Sequence, residues 1–156
     1  MKKKIIAVLV LALVVSTVSV FALGIGIQGG YGYNIPGNVA ITFKVDQSPL
    51  VFAGNFVFNK DYTVIGLTGD YWISNANLEG PLNYFVGVGF GATVGFAKDI
   101  ILSGAARLPV GINMFFADGV VEPYVQIVPQ LPVQILPSIA VGNFSVDAAA
   151  GIRFWF

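Results

Sequence analysis

The chain has 156 residues, room for one domain; 56% of them are hydrophobic and only 10% are charged. It carries no histidine and no cysteine, which excludes histidine-dependent acid–base catalysis, histidine-ligated metal, thiol chemistry, disulfides and anchoring through a lipidated cysteine. A charged fraction far below the ~25% usual for soluble domains belongs with membrane proteins, yet only the N-terminal stretch is long and apolar enough to cross a bilayer as a helix.

In chain order, Met1-Lys2-Lys3-Lys4 is a basic head, Ile5 to Val15 an unbroken apolar core, and Val20-Phe21-Ala22 a small-residue cleavage signature. Together they predict a secretory signal peptide over 1–22, cleaved after Ala22, and a mature domain over 23–156. The alternative is a retained anchor, since no charge stands between Ile5 and Ile27; Ser16, Thr17, Ser19, Gly24 and Gly26 interrupt it. Without the three lysines, five basic residues face eight acidic ones, a net charge of −3. That balance offers no basic face to a nucleic acid.

Beyond Ala22 the hydrophobic period is two, the signature of strands. In the second predicted strand Val39, Ile41, Phe43 and Val45 alternate with Ala40, Thr42 and Lys44. In the sixth, Leu102, Leu108, Val110, Ile112 and Met114 stand against Ser103, Arg107 and Asn113. In the last, Phe144, Val146, Ala148, Ala150, Ile152, Phe154 and Phe156 alternate with Ser145, Asp147, Ala149, Gly151, Arg153 and Trp155. Turns are predicted at 34–37, 46–49, 59–61, 74–81, 98–99, 118–119 and 137–143, with Asp118-Gly119 the strongest hairpin signal. Eight strands of about 11 residues with seven connections of about 6 would use about 130 residues, close to the mature length. Short connections pair sequence neighbours antiparallel.

Charge placement separates a soluble calyx from a membrane barrel. The face rich in Val, Ile, Leu and Phe carries almost no charge; Lys44, Asp70, Arg107, Glu122, Asp147 and Arg153 all fall on the other face. A Lys or Arg facing mid-bilayer lipid costs ~2–4 kcal/mol, so this segregation is what a lipid-facing surface requires. Closing the sheet also satisfies every backbone donor in lipid. The fold expected is therefore all-β: an eight-stranded, antiparallel, up-and-down transmembrane β-barrel.

The end of the chain, Gly151-Ile152-Arg153-Phe154-Trp155-Phe156, looks like the terminal strand by which outer-membrane assembly machinery recognises bacterial barrels, with Ile152, Phe154 and Phe156 as the signal. Together with Asp70-Tyr71-Trp72, Ala106-Arg107-Leu108-Pro109-Val110-Gly111 and Val128-Pro129, in that order, the mature chain resembles the OmpA/OmpX/OmpW-like eight-stranded superfamily, in particular its compact branch in spirochaetes and other diderms. Where that branch often has Glu ahead of the Val-Pro strand end, this chain has Gln126. The resemblance implies a place in the bacterial outer membrane, both termini on the periplasmic side, and outer loops near 34–38, 59–62, 96–100 and 136–143. It implies outer-membrane lipid and the barrel-assembly machinery as partners, with a monomer favoured. Enzymes of this architecture use histidine with serine or aspartate, so none is expected here.

The six inward charges suggest an ion-paired network filling the lumen, because an eight-stranded interior is just wide enough for side chains. Asp70 and Glu122 could form a catalytic carboxylate pair, but Arg107 and Arg153 on the same face favour pairing. Inner-face glycines (among them Gly24, Gly87, Gly89, Gly111 and Gly151) are expected to relieve crowding opposite Trp72, Phe85, Tyr124 and Trp155. Gly87-Val88-Gly89-Phe90-Gly91 precedes no helical pattern and is not a phosphate loop. Pro123, Pro129, Pro132 and Pro137 predict a bulge or a fraying strand end. No cofactor and no metal is expected. The function these features favour is a small structural barrel contributing to envelope integrity. The alternatives are a narrow channel or site for small apolar solutes, as the OmpW-like comparison suggests, and a surface interaction protein acting through short loops.

Overall fold

The computed structural model describes residues 22–33, 35–97 and 99–156. The leader expected over 1–22 lies, as far as residue 21, outside the described residues. Ten strand segments follow: β1 (Leu23–Tyr33), β2 (Ile35–Val45), β3 (Leu50–Phe58), β4 (Thr63–Glu79), β5 (Leu82–Phe96), β6 (Ile100–Arg107), β7 (Val110–Met114), β8 (Val121–Leu136), β9 (Ala140–Val141) and β10 (Ser145–Trp155). They occupy eight positions in an antiparallel ring, closed where β10 pairs with β1 from Gly24↔Trp155 to Tyr33↔Val146.

Ten segments make eight positions for a local reason. β6 and β7 form one barrel strand, because Arg107↔Gln130 and Val110↔Ile127 keep a single register on β8. The ladder lapses at Leu108–Pro109, where Pro109 has no N–H to give. β9 leads into β10 along the other side of β8.

One end of the barrel carries both termini and the turns at 46–49, 80–81 and 115–120; we call it the near end. The far end carries the remaining connections. Two predicted turns need correction. Pro36 and Gly37 lie within β2, and Ser74–Glu79 continues β4, leaving only Gly80 (φ +53°) and Pro81 as the turn. The prolines of β8 do not fray it: the strand runs unbroken through Pro123, Pro129 and Pro132. The neighbouring strand is interrupted at Leu108–Pro109, and β8 itself carries a bulge near its far end, where Leu102↔Leu136 is followed by Ser103↔Gln134 and Ile135 is skipped.

Alternation holds around the ring. Val39, Ile41, Phe43 and Val45 are exposed while Ala40, Thr42 and Lys44 are buried; on β10 Ala148, Ala150 and Phe154 face out and Ser145, Asp147, Ala149 and Arg153 face in. The core is the lumen. Its apolar centre, formed by Val51, Trp72, Phe85 and Tyr124, lies in the near half.

Candidate functional site

The chemistry of this chain is inside the barrel, and the glycines decide how it is arranged. Asp70 on β4 is in register with Gly89 on β5, which is in register with Arg107 on β6. The middle position has no side chain, so the two charges meet across it: Arg107 Nε and Nη2 donate to Asp70 Oδ1 and Oδ2 at 3.1 and 3.3 Å. A Cβ at Gly89 would collide with Asp70 Oδ1.

The device recurs. Gln28, Gly151 and Tyr124 form one row, and the Tyr124 hydroxyl donates to Gln28 Oε1 at 2.9 Å across the glycine. In another row Lys44 lies 5.3 Å from the Trp155 ring across Gly24. Gly111 and Gly87 leave room for the Phe85 and Trp72 rings. Those rings stack at 4.0 Å between centroids. The crowding relief expected of the inner glycines is thus tied to particular neighbours.

Near the termini end, Glu122 is fully buried. Its Oε1 accepts from Arg153 Nη1 and Asn113 Nδ2, both at 2.8 Å, and its Oε2 accepts from Trp155 Nε1 at 2.9 Å. Arg153, itself 1% exposed, lies over the Tyr124 ring at 4.1 Å and faces Trp72 at 5.4 Å. One charge-assisted bond and two ring faces meet the buried guanidinium, whose Nε has no hydrogen-bond partner among the described residues. Lys44 has no carboxylate within salt-bridge distance among the described residues; it lies between the Trp72 and Trp155 rings.

The six predicted residues are therefore all inward and all buried, but they do not form one network. Four make two separate ion pairs, Lys44 rests on aromatic faces, and Asp147 has no ion-pair partner among the described residues. Asn113, Gln28, Tyr124 and Trp155, which complete the polar contacts, were not among them. Their inward parity was the available signal, since each shares a face with a charge.

The lumen is filled on one side only. Between the two ion pairs remains a void of about 10 Å³, at most one water's worth, bordered by Gln28, Thr42, Asp70, Arg107, Gln126 and Arg153. Toward the far end the lumen opens into a cup of about 370 Å³ whose wall mixes Asn38, Asn55, Thr68, Thr93, Ser103, Gln130 and Ser145 with Val57, Val64, Ala105 and Pro132, and also carries Arg107 and Asp147. This corrects the expectation of a lumen filled throughout. Short polar side chains and Gly66, Gly91 and Gly104 cannot reach across the far half. A larger concavity, about 1090 Å³, is an open trough on the outward face around Gly29, Ala148 and Ala150, away from all the charges.

No protein-family model matches the chain, and no curated protein matches it in sequence. Among solved structures it is similar to the N-terminal β-barrel domain of Pseudomonas aeruginosa OprF, with 12% identity, a TM-score of 0.62, and coverage of 86% of this chain and 97% of that one. It is also similar to Neisserial surface protein A, NspA, with 13% identity, a TM-score of 0.57, and coverage of 87% and 97%. At such identities what is shared is the fold alone, a small, closed, antiparallel β-barrel with eight strand positions in its ring.

Proposed function

We propose that the protein is a small outer-membrane β-barrel with a structural role in the cell envelope, its lumen sealed in the near half by ion pairs and stacked rings. The observation that carries this reading is the seal itself. Trp72, Phe85, Tyr124, Arg153 and Glu122 are all buried, and the void between the two ion pairs, about 10 Å³, is too small for a conduit. The outward face supports the membrane assignment: within the ring its large exposed side chains are apolar, and the strand charges are buried except Glu79 at the exposed end of β4. Export through the leader over 1–22 and recognition of Ile152, Phe154 and Phe156 by the barrel-assembly machinery belong to the same proposal. So do a near end facing the periplasm and a monomeric state.

An enzymatic role has little to work with. Asp70 and Glu122, the two carboxylates that could act as a pair, are each bound to an arginine. A site for small solutes would meet a mixed wall, with Val57, Val64, Ala105 and Pro132 among the hydroxyls and amides of the cup.

The test is single-channel conductance of the refolded protein in a planar bilayer, using preparations whose heat-shifted gel band proves folding. A silent bilayer is expected. Discrete, reproducible steps would mean that the seal opens, and would move the protein to a transport role.

A further inference from the structure

The far-end cup contains a group that the seal does not use. Asp147, 6% exposed, lies on the wall of the cup beside Asn38. Its Oδ1 accepts no hydrogen bond, and the carboxylate has no ion-pair partner among the described residues. The neighbouring Asn38 Oδ1 is unpartnered too. Gly30 is what lets both approach, since a Cβ there would stand 3.1 Å from Asp147 Oδ1 and from the Asn38 amide. Arg107, the one cation lining the cup among the described residues, is held by Asp70 through Nε and Nη2 and makes a long 3.5 Å contact from Nη1 to Gln130. Asp70 and Arg107 pair with each other, which leaves Asp147 Oδ1 as a buried acceptor without a donor on the wall of the cup.

A buried carboxylate without a partner is unfavourable unless something supplies the missing charge and hydrogen bonds. We propose that the cup binds a small organic ammonium compound, its cationic nitrogen on Asp147 and Asn38 and its remaining polar groups on Gln130, Ser145, Ser103 and Thr93. A divalent metal ion is the poorer occupant. Such an ion gathers six or more oxygen ligands, commonly with more than one carboxylate, and no group of three His, Cys, Asp or Glu side chains is placed to hold one among the described residues. The cup, about 370 Å³, is far larger than a bare ion and falls within the size range of small-molecule pockets. Its walls carry neutral hydroxyls and amides among Val57, Val64, Ala105 and Pro132, which match a hydroxylated amine that also presents carbon surface. This inference rests on the closed floor of the cup and not on the envelope role.

Isothermal titration calorimetry of the folded protein in detergent micelles tests it, with glucosamine and ethanolamine as probes and glucose as the uncharged control. Saturable heat is expected for both amines and none for glucose. Asp147→Asn should weaken amine binding by about tenfold or more. Ser103→Leu, which narrows the cup without touching Asp147, should weaken glucosamine more than ethanolamine; its heat-shifted gel band reports folding if the first variant does not assemble. Absence of heat from either amine, equal binding of glucose, or unchanged binding in Asp147→Asn would overturn the proposal. Sodium binding as strong as that of the amines would do so too, by reassigning the cup to an inorganic ion. The conductance measurement reads the seal separately, so either idea can fail alone.

Discussion

Glu122 and Asp70 each pair with an arginine, but they sit in different surroundings, and that difference sets what each is worth. Glu122 holds three donors where no water reaches, so Glu122→Ala would strand the Arg153 guanidinium in the seal and should cost about 3–5 kcal/mol. Arg107 borders the cup, so water can take up much of the charge in Asp70→Ala, and the loss should be smaller, about 1–3 kcal/mol. Urea unfolding in micelles, followed by tryptophan fluorescence, measures both; equal losses would contradict the picture of one dry half and one wet half. The glycine rows allow a second comparison. Gly89→Ala places a methyl group where Asp70 Oδ1 now lies and should cost about 1–3 kcal/mol, whereas Gly29→Ala, with nothing within 4 Å, should be near neutral. The inward direction of all six charges was legible from strand parity alone. Their pairing was not. Arg153 and Glu122 are direct cross-strand neighbours, but Asp70 reaches Arg107 only across an intervening strand, through a gap whose position depends on register.

At the scale of elements, the β4–β5 hairpin shows where composition misleads. Ser74-Asn75-Ala76-Asn77 reads as loop, yet it is strand, because β5 pairs with it on one side and is itself braced by β7. Pairing of this kind overrides weak intrinsic preference. β3 leaves β4 after Leu50↔Tyr71, so residues 73–79 form a free edge beyond the ring. The hairpin tip is held by Asn77, whose Nδ2 donates to the carbonyls of Gly80 and Leu82 and to Asn83 Oδ1. All of these groups are exposed, so Asn77→Ala should cost no more than about 1 kcal/mol globally. Its effect should be local: faster amide exchange over 74–86, with protection in β1, β2 and β10 unchanged. A uniform rise in exchange would mean instead that the hairpin is part of the barrel's cooperative unit. Alternation fared better than turn composition. It located β2, the β6–β7 strand and β10 because each has one face on the lumen and one outside, so a slip of one residue would turn every charge outward.

For the whole molecule, the distribution of charge is the strongest statement the chain makes. Asp46, Asp61, Asp99 and Asp118 lie in turns, Glu79 is exposed at the end of β4, and the other strand charges face the lumen. The outward band between the two ends is left to residues such as Phe52, Leu67, Phe90 and Ile127, each about half exposed or more. In water that surface would be a large apolar patch inviting association. Against hydrocarbon it is the ground state. Leu67, 69% exposed near the middle of the barrel's height, discriminates the two environments. If the band meets lipid, Leu67→Arg should lower stability in phospholipid bilayers by about 2–4 kcal/mol. The same substitution in a barrel surrounded by water should be near neutral, as exposed surface changes usually are. Folding titrations of the variant and of the parent protein in vesicles make the measurement, with Thr42→Val inside the lumen as a control that leaves the lipid face untouched. A loss for Leu67→Arg below about 0.5 kcal/mol would place this face in water, and the inward charges would then need a different explanation.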